Sequence, residues 1–143
     1  MSPHRAAAAE GGSVGLDEVV RWVTAHRGDP TLVEGAGGWE VPCGPSWRIA
    51  DLAAALGWPV LVVGANRLGV LNHTLLTVAA VRARGLGVAG VVLVGGDGPL
   101  AAGNLEDLTA LLPDVAVTAF PWVEGDATWA GSALLGALRA RRG

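Results

Sequence analysis

The sequence predicts a three-layer α/β protein in which helices cover both faces of a parallel β-sheet. Two observations lead to that prediction. Short apolar runs alternate with longer segments whose apolar residues recur every three or four positions, as strands alternate with helices in βαβ units. Turns rich in glycine or proline follow the apolar runs, where loops leave the sheet. At 143 residues, of which 51% are hydrophobic, residues 1–143 are expected to form a single domain.

The strands are predicted from the apolar runs, and there are four of them: Thr31–Val33, Val60–Val63, Val88–Val94 and Val115–Phe120. The second run is apolar at every position, which is typical of a central parallel strand covered on both faces. Because parallel strands end at one edge of the sheet, the segments that follow them are expected to form any ligand site.

Helices are predicted between and around the strands, over residues 5–10, 17–27, 49–56, 72–84, 104–111 and 130–142. Asn72 and Asn104 are interpreted as N-caps, because the side-chain oxygen of asparagine can accept a hydrogen bond from a free backbone N–H at a helix start. Gly57 is interpreted as the C-terminal cap of the helix over 49–56. Residues 41–47, which include two prolines, are expected to form a turn-rich excursion.

Composition excludes several classes of function. A net charge of −3 argues against binding to nucleic acid or to an anionic membrane surface. The amino terminus does not resemble a signal peptide, and no apolar run is long enough to cross a bilayer. Cys43 is the single cysteine, so an internal disulfide is impossible and a cytoplasmic location is expected. All ten basic residues are arginine, so this chain alone cannot perform chemistry that needs a lysine amine.

Glu34 is the candidate metal ligand. It follows the apolar run Thr31–Val33 and precedes the glycine-rich residues 35–38, so a carboxylate stands where a strand is predicted to end. One carboxylate, together with waters and substrate phosphates, is an ordinary arrangement for Mg²⁺. The alternative is a strand that leaves the core through a glycine-rich turn, with Glu34 solvated.

Asn72 and Trp122 are the other positions of interest. A helix that begins at Asn72 would offer free backbone N–H groups to a carboxylate or a phosphate, although Asn72 could equally serve only as a cap. Trp122 follows a predicted strand end, whereas the other tryptophans are interpreted as packing residues. Neither Ser46 nor Ser132 lies in a nucleophile-elbow context, and no cluster of histidine, cysteine and aspartate indicates zinc.

Two motifs resemble the signatures of the ATP-dependent dethiobiotin synthetases. The first runs from Val33 to Trp39 (Val-Glu-Gly-Ala-Gly-Gly-Trp), and the second joins Pro59–Val63 to Arg67–Thr77. Shorter matches continue the likeness over nearly the whole chain: Ser2–His4, Arg82–Gly85, Ala89–Val92 and Phe120–Trp122. The resemblance implies a P-loop-NTPase-like fold and an active site at a homodimer interface.

The family forms the ureido ring of dethiobiotin from 7,8-diaminopelargonate, CO₂ and ATP. One substrate amine becomes a carbamate, ATP phosphorylates it, and the second amine closes the ring. Catalysis depends on positioning and on charge neutralisation by Mg²⁺ and lysines. By resemblance, this chain is expected to belong to such a homodimeric ligase of biotin biosynthesis, with ATP as co-substrate.

The resemblance also assigns site residues. Glu34 would hold Mg²⁺, and the nucleotide would be lined by Glu34, Gly35, Ala36, Gly37, Val94, Gly95, Pro121, Trp122 and Val123. The substrate would be bound by Ser2, Val70, Leu71 and Asn72, the last three from the partner subunit and through the start of their helix. The family's catalytic lysines have no counterpart, so no catalytic residue is assigned in this chain.

The departures from the family pattern lie mainly at its amino-terminal part. The family begins with a strand, a lysine-bearing phosphate loop, a second catalytic lysine and an aspartate that helps hold Mg²⁺, and none of these is present here. Val94-Gly95 also replaces the Asn-Asp pair with which the family reads adenine. The chain alone is therefore expected to be inactive, and a separate phosphate-loop chain is a possible partner.

Two classes of function remain open from the sequence. The chain could be the substrate- and metal-binding part of a synthetase, completed by a phosphate-loop segment. It could also be a degenerate homologue that serves as a non-catalytic binding or dimerisation module. An upstream or adjacent G-x-x-x-x-G-K-[ST] motif would favour the first class.

Overall fold

The computed structural model describes residues 1–125, and the helix predicted over 130–142 lies outside them. The chain divides into two compact units, Met1–Trp58 and Pro59–Gly143, which are described separately. The prediction of a single domain over residues 1–143 stays a prediction. None of the helices in the described part combines the length and the apolar character needed to cross a membrane.

The first unit contains three helices, α1 (Pro3–Ala9), α2 (Leu16–Ala25) and α3 (Ile49–Leu56). The amphipathic pattern predicted α3 to the residue, and Gly57 ends it in the left-handed conformation. Helix α1 begins two residues before the predicted start, because Pro3 favours the first helical turn and Ser2 stands at the N-cap. Helices α2 and α3 pack together over a small apolar core: Cys43, Trp47 and Leu52, with Val14, Leu16, Val19, Val20, Val33, Ile49 and Leu56 around it.

The strand predicted over Thr31–Val33 is wrong. Residues 31–35 have no regular secondary structure, and Leu32 is 86% exposed. An apolar run becomes a strand only where a neighbouring strand accepts its backbone hydrogen bonds. In the described part of the chain these residues have no such neighbour, and Thr31 instead closes a local turn with Gly28.

The second unit holds the sheet, whose strands are β1 (Val60–Ala65), β2 (Val88–Val94) and β3 (Val117–Phe120). Their order is β1-β2-β3 and both pairings are parallel, which confirms the predicted α/β class. β2 matches its predicted bounds, whereas β1 extends two residues beyond its predicted end and β3 begins two residues after its predicted start. β1 lies at the edge of this sheet, so the prediction that it is a central strand is wrong for the described residues.

Two helices connect the strands, α4 (Val70–Ala83) and α5 (Gly98–Leu111). They contact each other, and we infer that both lie on the same face of the sheet. A second helical layer on the opposite face therefore stays a prediction. The core between sheet and helices is wholly aliphatic: Val62, Val70, Val78, Val91, Leu93, Leu108, Leu112, Val115 and Val117.

Both asparagine caps were wrongly placed. Helix α4 begins after Gly69, whose φ of 95° suits glycine and not asparagine, so Asn72 lies in the first turn. Helix α5 begins after Asp97, six residues before the predicted start, and Pro99 stands in its first turn. Asn104 is therefore in mid-helix.

Asn104 has a buried structural role instead. Its Nδ2 donates to Oδ1 of Asn66 at 2.9 Å, and Nδ2 of Asn66 donates to the carbonyl oxygen of Ala101 at 3.3 Å. Both asparagines are buried. The pair ties the segment that follows β1 to the middle of α5.

We predict that Asn104→Ala lowers the free energy of unfolding by about 1–3 kcal/mol, because it leaves the Asn66 oxygen buried without a donor. Asn72→Ala is the matched control, since Asn72 is an exposed helical asparagine of the same unit, and its effect should stay within about 0.5 kcal/mol. Urea denaturation of the three proteins measures both values. Equal destabilisation by the two substitutions would contradict the assigned role.

We also predict slow reaction of Cys43 with thiol reagents in the folded chain. Burial raises the pKa of the Cys43 thiol, so the reactive thiolate is scarce and shielded. The pKa of this thiol is higher in the folded chain than in the unfolded chain. Its contribution to the free energy of unfolding is therefore fully present at pH values below the ordinary thiol pKa. It is lost as pH rises through the raised value. Alkylation rates with and without urea test this, and equal rates would contradict it.

Candidate functional site

The loop around Glu34 is held by the start of α3. The N–H of Ile49 donates to the carbonyl oxygen of Val41 at 3.1 Å, and the N–H of Ala50 donates to that of Trp39 at 3.0 Å. The loop thereby satisfies N–H groups that have no partner within the helix. The loop is therefore anchored, because its carbonyl groups accept hydrogen bonds from the first turn of α3.

Gly35 shows why the segment needs glycine. A Cβ atom built on Gly35 would lie 2.9 Å from Cγ2 of Ile49, closer than real side chains approach. The backbone beside Glu34 therefore lies directly against α3, and a larger residue would displace it.

The Glu34 carboxylate is exposed and makes no hydrogen bond or ion pair within residues 1–125. Its neighbour Glu40 differs, because Glu40 Oε2 accepts from Nη1 of Arg48 at 2.7 Å. Of these two carboxylates, Glu34 is the one that no side chain of the described part neutralises. A free carboxylate in a glycine-rich loop fits a hydrated Mg²⁺ that takes its other ligands from water and phosphate. No cluster of three or more acidic, histidine or cysteine side chains occurs in the described residues.

Trp39 adds a donor that the sequence did not single out. Its indole Nε1 is buried and has no hydrogen-bond partner among the described residues. A buried unpaired N–H is costly, by about 1–3 kcal/mol. The sequence signalled Trp39 only as the last residue of the first motif, and its unsatisfied donor is visible only in the structure.

Ser2 is the remaining predicted site residue of the first unit. It precedes α1, and its carbonyl oxygen accepts from the N–H groups of Arg5 and Ala6 at 3.0 and 3.1 Å. Its hydroxyl does not cap the helix. Nδ1 of His4 lies 3.1 Å from the carbonyl oxygen of Pro42, which ties α1 to the turn before α3.

In the second unit, the start of α4 presents backbone N–H groups. The first N–H bonded within the helix is that of His73, which donates to the carbonyl oxygen of Gly69 at 3.2 Å. The N–H of Val70 donates to Arg67, so Leu71 and Asn72 have backbone N–H groups with no partner in the helix. The predicted carboxylate site thus coincides with a real helix start, although Gly69 and not Asn72 creates it.

The predicted nucleotide residues of the second unit meet at the carboxyl edge of the sheet. Val94 pairs with Phe120, and the N–H of Gly95 donates to the carbonyl oxygen of Phe120 at 2.8 Å. Gly95 lies beside Trp122, a residue that is 75% exposed. Pro121 is exposed and Val123 is half-buried. The structure therefore brings the ends of β2 and β3 together, as the parallel topology predicts.

Asn66 belongs to the same edge and was missed. Its N–H donates to the carbonyl oxygen of Val94 at 2.9 Å, which continues the β1-β2 pairing one residue past β1. Its side chain holds Asn104 and Ala101 on α5. No local signal distinguishes this residue from a loop asparagine, because its partners lie 35 and 38 positions away.

Comparison with known proteins agrees with the motifs. A family model described as an AAA domain matches residues 1–125. The chain is 41% identical over 117 residues to ATP-dependent dethiobiotin synthetase BioD of Cellvibrio japonicus, covering 79% of this chain. It is 52% identical to the BioD of Anaeromyxobacter dehalogenans over 65% of the chain, and 40% identical to that of Ralstonia nicotianae over 87%.

These matches cover 51%, 43% and 51% of the three relatives, so the chain spans about half their length. The family model matches most of the chain, and the relatives share one name. The chain therefore belongs to the AAA-domain family that this model describes, and it is similar to the ATP-dependent dethiobiotin synthetases.

Proposed function

We propose that this chain supplies the metal-binding loop and the substrate-carboxylate site of a cytoplasmic, ATP- and Mg²⁺-dependent dethiobiotin synthetase. The observation that carries the proposal is the identity of 40% over 127 residues to a protein of that name, reaching 87% of the chain. The matched relatives are named as synthetases, which does not favour the alternative of a non-catalytic binding or dimerisation module.

In the first unit, Glu34 holds Mg²⁺, and Gly35, Ala36 and Gly37 line the nucleotide. The proposal is supported by the free carboxylate of Glu34 and by the anchoring of its loop on α3. Mg–ATP, when bound, supplies the phosphoryl group. The residues of this chain bind the metal and orient the nucleotide, and Ser2 faces the substrate.

In the second unit, the backbone of Val70, Leu71 and Asn72 binds the carboxylate of 7,8-diaminopelargonate. The positive end of the α4 dipole favours an anion there, and Leu71 and Asn72 have N–H groups with no partner in the helix, whereas the N–H of Val70 donates to Arg67. We propose that this site acts across a homodimer. Exposed Leu68 precedes the N-cap of α4 and exposed Leu76 lies one helical turn after Asn72, so apolar surface flanks the helix start.

The nucleotide base lies against Trp122, with Val94, Gly95, Pro121 and Val123 around it. An exposed indole at the end of a parallel strand offers a flat apolar surface to adenine. Val94 and Gly95 offer only backbone groups for hydrogen bonding. Residues 1–143 include no lysine-bearing phosphate loop, so we propose that a phosphate-loop segment outside these residues completes the site.

We predict that Glu34→Gln, in a fusion of this chain to the family's phosphate-loop segment, weakens Mg²⁺-dependent ATP binding by about tenfold or more. The amide keeps the size of the side chain but loses its charge. Calorimetric titration with ATP at several Mg²⁺ concentrations measures the effect.

Glu40→Gln is the matched control, because it removes a carboxylate of the same loop whose exposed ion pair contributes little. Unchanged Mg²⁺ dependence in Glu34→Gln, or an equal loss in Glu40→Gln, would reject Glu34 as the ligand.

We further predict that the chain alone makes no dethiobiotin from diaminopelargonate, bicarbonate, ATP and Mg²⁺. In phosphoryl transfer, the negative charge of the transition state is neutralised by a phosphate loop and by the lysine of that loop. Each donor removed raises the activation free energy by about 3 kcal/mol. Turnover is expected only from the fusion. Turnover by the chain alone would overturn this prediction, and a folded but inactive fusion would favour the non-catalytic module.

A further inference from the structure

The turn that follows β2 borders the proposed base site. It consists of Gly95, Gly96 and Asp97, and α5 begins directly after it. A Cβ atom built on Gly95 would lie 3.6 Å from the Cβ of Trp122, so the turn and the exposed tryptophan are neighbours. The two glycines have φ angles of 69° and 77°. Glycine adopts many other backbone conformations as readily, so contacts from outside the turn must select this one.

Asn66 bonds to the chain on both sides of this turn. Its backbone N–H donates to the carbonyl oxygen of Val94, the residue before the turn, at 2.9 Å. Its side-chain Nδ2 donates to the carbonyl oxygen of Ala101 at 3.3 Å, and its Oδ1 accepts from Nδ2 of Asn104 at 2.9 Å. Ala101 and Asn104 both belong to α5, which follows the turn. The same residue therefore ties down the strand end and the helix that the turn connects.

The middle of the turn also lies against Asn66. A Cβ atom built on Gly96 would lie 2.5 Å from the carbonyl oxygen of Asn66 and 3.0 Å from its Cβ. The backbone of the turn therefore packs directly on the backbone of Asn66 and leaves no room for a side chain at position 96. Asn66 is buried, so little water competes for its hydrogen bonds.

We propose that Asn66 is a positioning residue for the nucleotide, because it holds residues 95–97 in the conformation in which Gly95 and Trp122 receive the base. The proposal deepens the proposed function and rests on it, because the base site is part of that function. The amide oxygen and nitrogen of Asn66 are both engaged by α5, so the effect of Asn66 on the nucleotide passes through the turn.

The test substitutes Asn66→Ala and measures two quantities. In this chain, hydrogen exchange of residues 95–97 is expected to become several-fold faster, since the turn loses its support. In the fusion of this chain to the family's phosphate-loop segment, KM for ATP should rise about tenfold, because a displaced turn misplaces the base. The values of kcat and of KM for diaminopelargonate should stay within about twofold, since contacts to the base bind ground state and transition state alike.

Val78→Ala is the matched control for lost stability. Val78 lies in the aliphatic core of the same unit, on α4, and its truncation leaves a cavity that destabilises the fold. The fraction of active fusion should fall in this variant, while KM for ATP and the exchange of residues 95–97 below the unfolding transition stay unchanged. A rise in KM for ATP equal to that of Asn66→Ala would reduce Asn66 to a structural residue and overturn the proposal.

Asn104→Ala is the second variant, and it decides the matter if Asn66→Ala does not fold. It removes one of the two side-chain bonds between Asn66 and α5, so KM for ATP should rise about threefold. Unchanged exchange of residues 95–97, or an unchanged KM for ATP, in whichever of the two variants is folded would overturn the proposal.

The outcomes also separate this inference from the proposed function. If the unsubstituted fusion binds ATP but forms no dethiobiotin, and calorimetry shows weaker ATP binding by Asn66→Ala, the function is rejected and the role of Asn66 is kept. If the fusion forms dethiobiotin and KM for ATP is the same with and without the substitution, the function is kept and the role of Asn66 is rejected.

Discussion

The parallel pairing of β2 with a strand on each side is the constraint on which the second unit depends. It sets the ends of the three strands level, so that Asn66, Gly95 and the residues after Phe120 lie along one edge. It also fixes where α4 begins, because that helix follows β1 after only a short turn. The candidate nucleotide and carboxylate sites of this unit are therefore consequences of strand register and not of any local motif alone.

The elements that the sequence predicted well are those whose signals are local. The amphipathic spacing and Gly57 define α3, and an uninterrupted apolar run defines β2. The strand expected at Thr31–Val33 failed because pairing is a property of two segments, and a run of three apolar residues does not reveal whether a neighbour exists. β1 was wrongly expected to be a central strand for the same reason. Apolar residues on both faces of a strand predict that both faces are covered, but they do not show whether a strand pairs on each side.

The asparagines show a second reason why sequence alone does not fix the role of a residue. Asn72 and Asn104 both precede apolar periodic residues, and from sequence either could cap a helix. The structure places Asn72 in an exposed first turn and Asn104 in a buried pair with a residue 38 positions earlier. The candidate site residues and their structural support differ in what the sequence reveals. Glu34 is a candidate ligand from its residue type and its glycines, and that assignment stays a prediction, whereas the anchoring carbonyls of Trp39 and Val41 are visible only in the backbone geometry.

We propose above all that the Glu34 loop contacts the nucleotide-bound metal. Manganese can replace magnesium at oxygen sites and is located directly by its anomalous X-ray scattering. A crystal structure of the chain joined to its phosphate-loop segment, with Mn²⁺ and a non-hydrolysable ATP analogue, should place a Glu34 carboxylate oxygen about 2.0–2.3 Å from the metal. A metal bound to the nucleotide and remote from Glu34 would contradict the account.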